Sequence, residues 1–175
     1  MEKPNFFYAD PDTGKVFRFS RADINFDILL PTRQTAWLVG EWIKEKTGID
    51  TVVTSAKRTL VEQINAMTAL KKRFGEKYYN DTYKRQGQDP ATLPHVEGRA
   101  VDLRFIAQAI PFIQELNGIY LKGALKAIGV VPSRLIVVEN GNCLHVQIPR
   151  LKSYGNYIYY IQQLVGKCPA QCHIQ

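Results

Sequence analysis

Histidine is scarce in this chain, three in 175 residues, so its placement carries information. Two of the three stand beside carboxylates in strand-like surroundings: His95-Val-Glu-Gly98-Arg-Ala100-Val-Asp102 and Glu139-Asn-Gly-Asn-Cys-Leu-His145. Imidazole nitrogens and carboxylate oxygens are zinc ligands at about 2.0–2.2 Å, and a catalytic zinc takes three protein ligands and keeps a fourth position for water. His95, Asp102 and His145 would supply two neutral imidazoles and one carboxylate. Zinc held this way retains a net positive charge, which lowers the pKa of its water toward neutrality. Its affinity should fall as the pH drops through the imidazole range, because the ligands must be deprotonated.

Such a site needs strands to aim the ligands. Gly98 lets the chain turn sharply after His95, and the strand over 99–105 then sends Ala100, Asp102 and Arg104 to one face and Val101 and Leu103 to the other. The small Ala100 leaves room for a ligand. On the strand over 143–148, His145 shares its face with Cys143 and Gln147, while Leu144, Val146 and Ile148 point to the core. Cys143 would therefore face the metal. Its plainer reading is a small buried hydrophobe, and a fourth zinc ligand there would close the site.

The remaining elements follow from period and punctuation. Aromatics mixed with turn formers over 1–31 predict an extended arm or a short hairpin. Helical spacing of Trp37, Leu38, Trp42 and Ile43 predicts a helix from Thr32 that stops at Gly48, and a β-branched strand follows over 49–54. Thr59 and Glu62, in capping-box spacing, open a helix over 59–74. Residues 75–94 are polar and Gly/Pro-punctuated, and predict a structureless segment acting as a mobile lid beside His95. Residues 106–128 read as a helix that Pro111 can start afresh and Gly118 can break. Strands over 134–139 and 143–148 flank the hairpin signal Asn140-Gly141-Asn142, and a tyrosine-rich helix closes the chain over 154–165. The fold class expected is α+β, a small mainly antiparallel sheet flanked by helices. The domain spans 32–166, after the arm over 1–31 and before a tail over 167–175.

A formal charge of +7 and a pI near 9.3 suit an anionic partner. No run of like charge or recognition motif supports nucleic acid, so none is expected as a partner. No apolar stretch reaches 18 residues and the first residues lack a signal-peptide pattern, so the expectation is cytoplasmic synthesis with no membrane span. Any work on a cell wall would follow lysis, export or packaging into a particle. Three cysteines are too few for a disulfide framework. Cys168-x-x-x-Cys172-His173 lacks the second ligand pair of a zinc module.

His95-x-x-Gly98-x-Ala100-x-Asp102 followed by a strand-borne His145 resembles the zinc D-Ala-D-Ala carboxypeptidases and L-alanyl-D-glutamate endolysin peptidases grouped with the Hedgehog signalling domain. Upstream, Ser55-Ala-Lys-Arg58-Thr59-x-x-x-Gln63 resembles that family's Ser-x-x-Arg-Ser/Thr-x-x-x-Gln segment, so the resemblance runs from about residue 35 to 150. It implies a Hedgehog/DD-peptidase-like fold, zinc on His95, Asp102 and His145, and Arg58 at the scissile carbonyl or its oxyanion. Ser55, Gln63 and Cys143 would line the substrate site. Several members place the general base three residues before the last His, where this chain has Asn142, which cannot take a proton. Other members place a Glu six residues before it, which here is Glu139. Leu93 stands where the family often has Ser or Thr, and Cys143-Leu144 where many members have His or Trp.

Parity in the hairpin decides whether Glu139 can serve. A two-residue turn would put Glu139 on the face opposite His145; a three-residue loop, Asn140 to Asn142, would pair Glu139 with Cys143 and Val137 with His145. The second is expected, with Asn142 at positive φ and Glu139 within one water of the metal. The function implied is a zinc metallopeptidase cutting a D-Ala-D-Ala or L-Ala-D-Glu bond in peptidoglycan, resembling a bacteriophage lysis or virion-associated enzyme. The alternative is a zinc-binding structural or interaction module of the same fold without activity, such as a phage particle component.

Overall fold

A computed structural model describes residues 6–12, 14–82, 89–120, 136–139 and 142–159. Its centre is a six-stranded sheet in the order β1-β2-β3-β4-β6-β5. The strands are β1 (Phe6–Ala9), β2 (Val16–Phe19), β3 (Val52–Ser55), β4 (Ala100–Arg104), β5 (Ile136–Glu139) and β6 (Cys143–Gln147). β2 and β3 run parallel, and every other neighbouring pair is antiparallel. The helices are α1 (Leu30–Thr47), α2 (Leu60–Phe74), α3 (Glu76–Thr82) and α4 (Ile110–Tyr120). The molecule is therefore α+β with a mixed, mainly antiparallel sheet.

The arm at the start of the chain is a hairpin, and it joins the main sheet, with Phe19 opposite Val53. Its turn is clamped from α1. Arg33 ion-pairs with the fully buried Asp10 at 3.2 Å, bonds Asp12 and donates to the Ile28 carbonyl at 2.8 Å.

Pro31 fits the start of α1, where its missing N–H costs nothing, and Gly48 ends the helix in the left-handed region with its N–H on the Lys44 carbonyl. The helix thus begins two residues before Thr32 and stops where the glycine predicts. Leu38, Val39 and Ile43 on α1 and Ile113 and Leu116 on α4 are buried with Val101, Leu103, Leu144 and Val146 of the sheet. Those strand residues occupy alternate positions, so α1 and α4 cover one face. Asp102 and His145 occupy the positions between and belong to the other face.

Two expectations change. The segment over 75–94 is not structureless: α3 and a 3-10 turn at Pro90–Thr92 occupy both ends of it. α3 escapes an apolar-periodicity reading because it is polar and held by charges, Lys77–Asp81 at 3.1 Å and Lys71–Glu76 at 3.2 Å. Gly118 does not break α4, which runs to Tyr120. Residues 155–159 are helical, in keeping with the closing helix. The rest of that helix, the stretch 121–135, residues 83–88 at the centre of the expected lid, Asn140-Gly141, and Cys168, Cys172 and His173 lie outside the described residues.

Candidate metal centre

The site is assembled from three segments far apart in sequence. Asp102 lies at the middle of β4, in register with His145 on β6 and Ser55 at the end of β3. His95 arrives on the turn before β4. Gly98 closes that turn at φ 70°, and a Cβ there would stand 3.2 Å from the Ile28 Cα, so only glycine fits without strain. The Gly98 carbonyl accepts from Leu29 N–H at 3.0 Å and from the Thr32 hydroxyl at 2.9 Å, which fastens the turn to the start of α1.

His95, Asp102 and His145 each turn one ligand atom inward, and these atoms lie within 4.8 Å of one another, a group that could hold a metal ion. His95 Nε2 is 3.2 Å from Asp102 Oδ1, and His145 Nδ1 is 3.0 Å from the same oxygen. The far nitrogens are taken. His95 Nδ1 is 2.6 Å from the Ala56 carbonyl, which can only accept, so that nitrogen carries the proton and Nε2 presents a lone pair. His145 Nε2 lies 2.9 Å from Gln147 Oε1, another acceptor, so Nδ1 presents the lone pair. Two lone pairs and a carboxylate oxygen thus converge, an arrangement that a cation satisfies.

Charge states agree with this. Burial pushes His95 below the ordinary imidazole range despite the neighbouring Asp102, keeping the ring neutral. Burial by itself would raise the Asp102 carboxyl, but the adjacent His95 and His145, His95 foremost, hold it well below the usual carboxylate range. A neutral imidazole and an ionised carboxylate are the forms that bind metal.

Arg58 reaches the same carboxylate from the other side, Nη2 donating to Asp102 Oδ2 at 2.9 Å. Its Nε donates to Ser55 Oγ at 3.1 Å and its Nη1 to Gln63 Oε1 at 3.2 Å. Gln63 is buried on α2, whose start is fixed by the predicted capping box between Thr59 and Glu62. The structure therefore brings together Ser55, Arg58, Gln63, His95, Asp102 and His145. Cys143, half-buried on the His145 face of β6, is not among the converging atoms. Leu93 is buried.

The hairpin register is the three-residue one, with Glu139 opposite Cys143 and Val137 opposite His145. Position 139 thus lies in the row of 143 and 145; its side chain is outside the described part of the structure. Sequence reasoning missed three supports: the Ala56 carbonyl, Gln147 as the partner of His145, and the Thr54 hydroxyl on the Asp102 carbonyl at 3.2 Å. Gln147 had a signal, since two residues past His145 on a strand is the same face.

No family model, curated protein or solved structure matches the chain. Among the described residues no helix is long and apolar enough to cross a membrane.

Proposed function

We propose that the chain is a zinc-dependent metallopeptidase of the Hedgehog/DD-peptidase type that hydrolyses an amide bond in peptidoglycan peptides. One observation carries the reading: His95 Nε2, Asp102 Oδ1 and His145 Nδ1 converge with the far nitrogen of each imidazole already committed to an acceptor. Two histidines and one carboxylate are a donor set suited to zinc with an open position. When bound there, zinc supplies a Lewis acid for a peptide carbonyl and lowers the pKa of water. Glu139, in the row of His145, is the residue that takes the water's proton and returns it to the leaving amine. The excess of basic residues, +7 overall, favours approach to an anionic wall polymer. Delivery to the wall would follow lysis or export, or occur with a phage particle and its other virion proteins.

A second reading, a zinc-binding module without activity, draws on Leu93. That residue is buried and apolar where the resembled family offers a hydroxyl, so it gives a substrate no hydrogen bond. One experiment separates the two. Purified peptidoglycan is digested with zinc-loaded wild type and Glu139→Gln, and the products are read by mass spectrometry. New amino and carboxyl termini with wild type alone support the peptidase. Bound zinc with no cleavage by either protein supports the module.

A further inference from the structure

The two oxygens of Asp102 have different partners. Oδ1 faces His95 Nε2 and His145 Nδ1, at 3.2 and 3.0 Å, whereas Oδ2 accepts from Arg58 Nη2 at 2.9 Å. The guanidinium is fixed on its other nitrogens, Nε on Ser55 Oγ and Nη1 on the buried Gln63. The same residue's main-chain N–H donates to the His95 carbonyl at 3.1 Å, and the Ala56 carbonyl two residues earlier holds the His95 ring. Residues 55–58 therefore grip both ligand-bearing segments.

A carboxylate can meet a cation with one oxygen or with both. A planar guanidinium bonded at one oxygen settles that choice, because it directs a fixed donor at Oδ2 and a second charge repels a cation from that side. We propose that Arg58 is a positioning residue which makes Asp102 a one-oxygen metal ligand and so keeps a coordination position open for water or substrate. The inference rests on the metal reading above. It assigns Arg58 to the ligand carboxylate, where the family resemblance assigns it to the substrate's oxyanion.

The test titrates zinc and cobalt(II) into wild type, Arg58→Ala, Arg58→Lys and Gln63→Leu. It reads affinity by chelator competition and coordination by the visible absorption of bound cobalt. Wild type should bind one equivalent. Arg58→Ala should bind zinc about 10–100-fold more weakly, the usual cost of losing a partner of a metal ligand. Its cobalt absorption should weaken as the freed oxygen raises the coordination number. Arg58→Lys keeps the charge without the fork, so it should recover part of the affinity but not the spectrum, and Gln63→Leu should shift both readouts less. Unchanged affinity and spectrum in folded Arg58→Ala, with hydrolysis lost, would overturn the inference in favour of the oxyanion role while leaving the metal centre intact. If Arg58→Ala does not fold, a wild-type spectrum in Arg58→Lys overturns it equally. Wild type that takes up neither metal overturns the metal reading and this inference together.

Discussion

Each candidate ligand is held by a partner of its own, and those partners set which atom would meet a metal. With Nδ1 of His95 on the Ala56 carbonyl and Nε2 of His145 on Gln147, a metal would be met by Nε2 of His95 and Nδ1 of His145. His95→Ala and His145→Ala should therefore each lose zinc on dialysis against metal-free buffer, measured as metal per protein. Gln147→Leu should keep the metal but weaken its binding about 10-fold or more, since the imidazole loses its orienting acceptor. Retention of full zinc by both histidine variants removes the centre. The convergence of the three residues was legible in the sequence because histidine is rare and glycine, alanine and aspartate follow it at fixed intervals. The ion pair between Arg58 and Asp102 was not legible, because 44 residues separate them and only the pairing of β3 with β4 brings them together.

At the scale of elements, the turn before β4 is the sensitive joint. Gly98 sits at φ 70° against the Ile28 backbone, and an L side chain in that region costs roughly 1–2 kcal/mol before any clash. Gly98→Ala should lower the melting temperature and, because the same turn carries His95, also weaken metal binding. A stabilising or neutral result in both would contradict the close approach. Strands and the two capped helices were legible because their signals are local: period two in β4 and β6, the Thr59–Glu62 box, Gly48 after α1. α3 was not, for its seven residues carry no apolar stripe and its ion pairs to Lys71 and within itself become visible only when the helix exists. The hairpin register followed from asking which loop length puts residue 139 in the row of His145.

Across the whole molecule, Tyr157 bolts the closing helix to α1. It is fully buried, and its hydroxyl donates to Thr35 Oγ1 at 2.9 Å, the Thr35 hydroxyl itself donating to the Pro31 carbonyl at 2.7 Å. Burial raises the phenol above its ordinary value. The sign follows directly. The native state favours the neutral phenol, so its contribution is complete below the unfolded value of about 10 and is lost as the pH rises through the higher folded value. Tyr157→Phe should cost about 1 kcal/mol at neutral pH for the lost buried hydrogen bond, and should flatten the alkaline fall in stability, both measured by denaturant unfolding between pH 8 and 11. An equally steep alkaline fall in the variant would place its origin elsewhere. The joining of the first hairpin to the sheet was beyond the sequence reading, because the parallel pair of β2 with β3 spans the whole of α1 and leaves no local mark.

The ligands lie 7 and 43 residues apart along the chain and meet only once β4 and β6 are paired. An unfolded chain presents them singly. A cation taken up at this centre is thus a ligand of the native state alone, and mass action makes it a stabiliser: about 2.7 kcal/mol when its free concentration is 100 times its dissociation constant. The resistance of the protein to heat should then depend on metal supply, and ranking ions by the rise in melting temperature they produce would identify the preferred one with no substrate in hand.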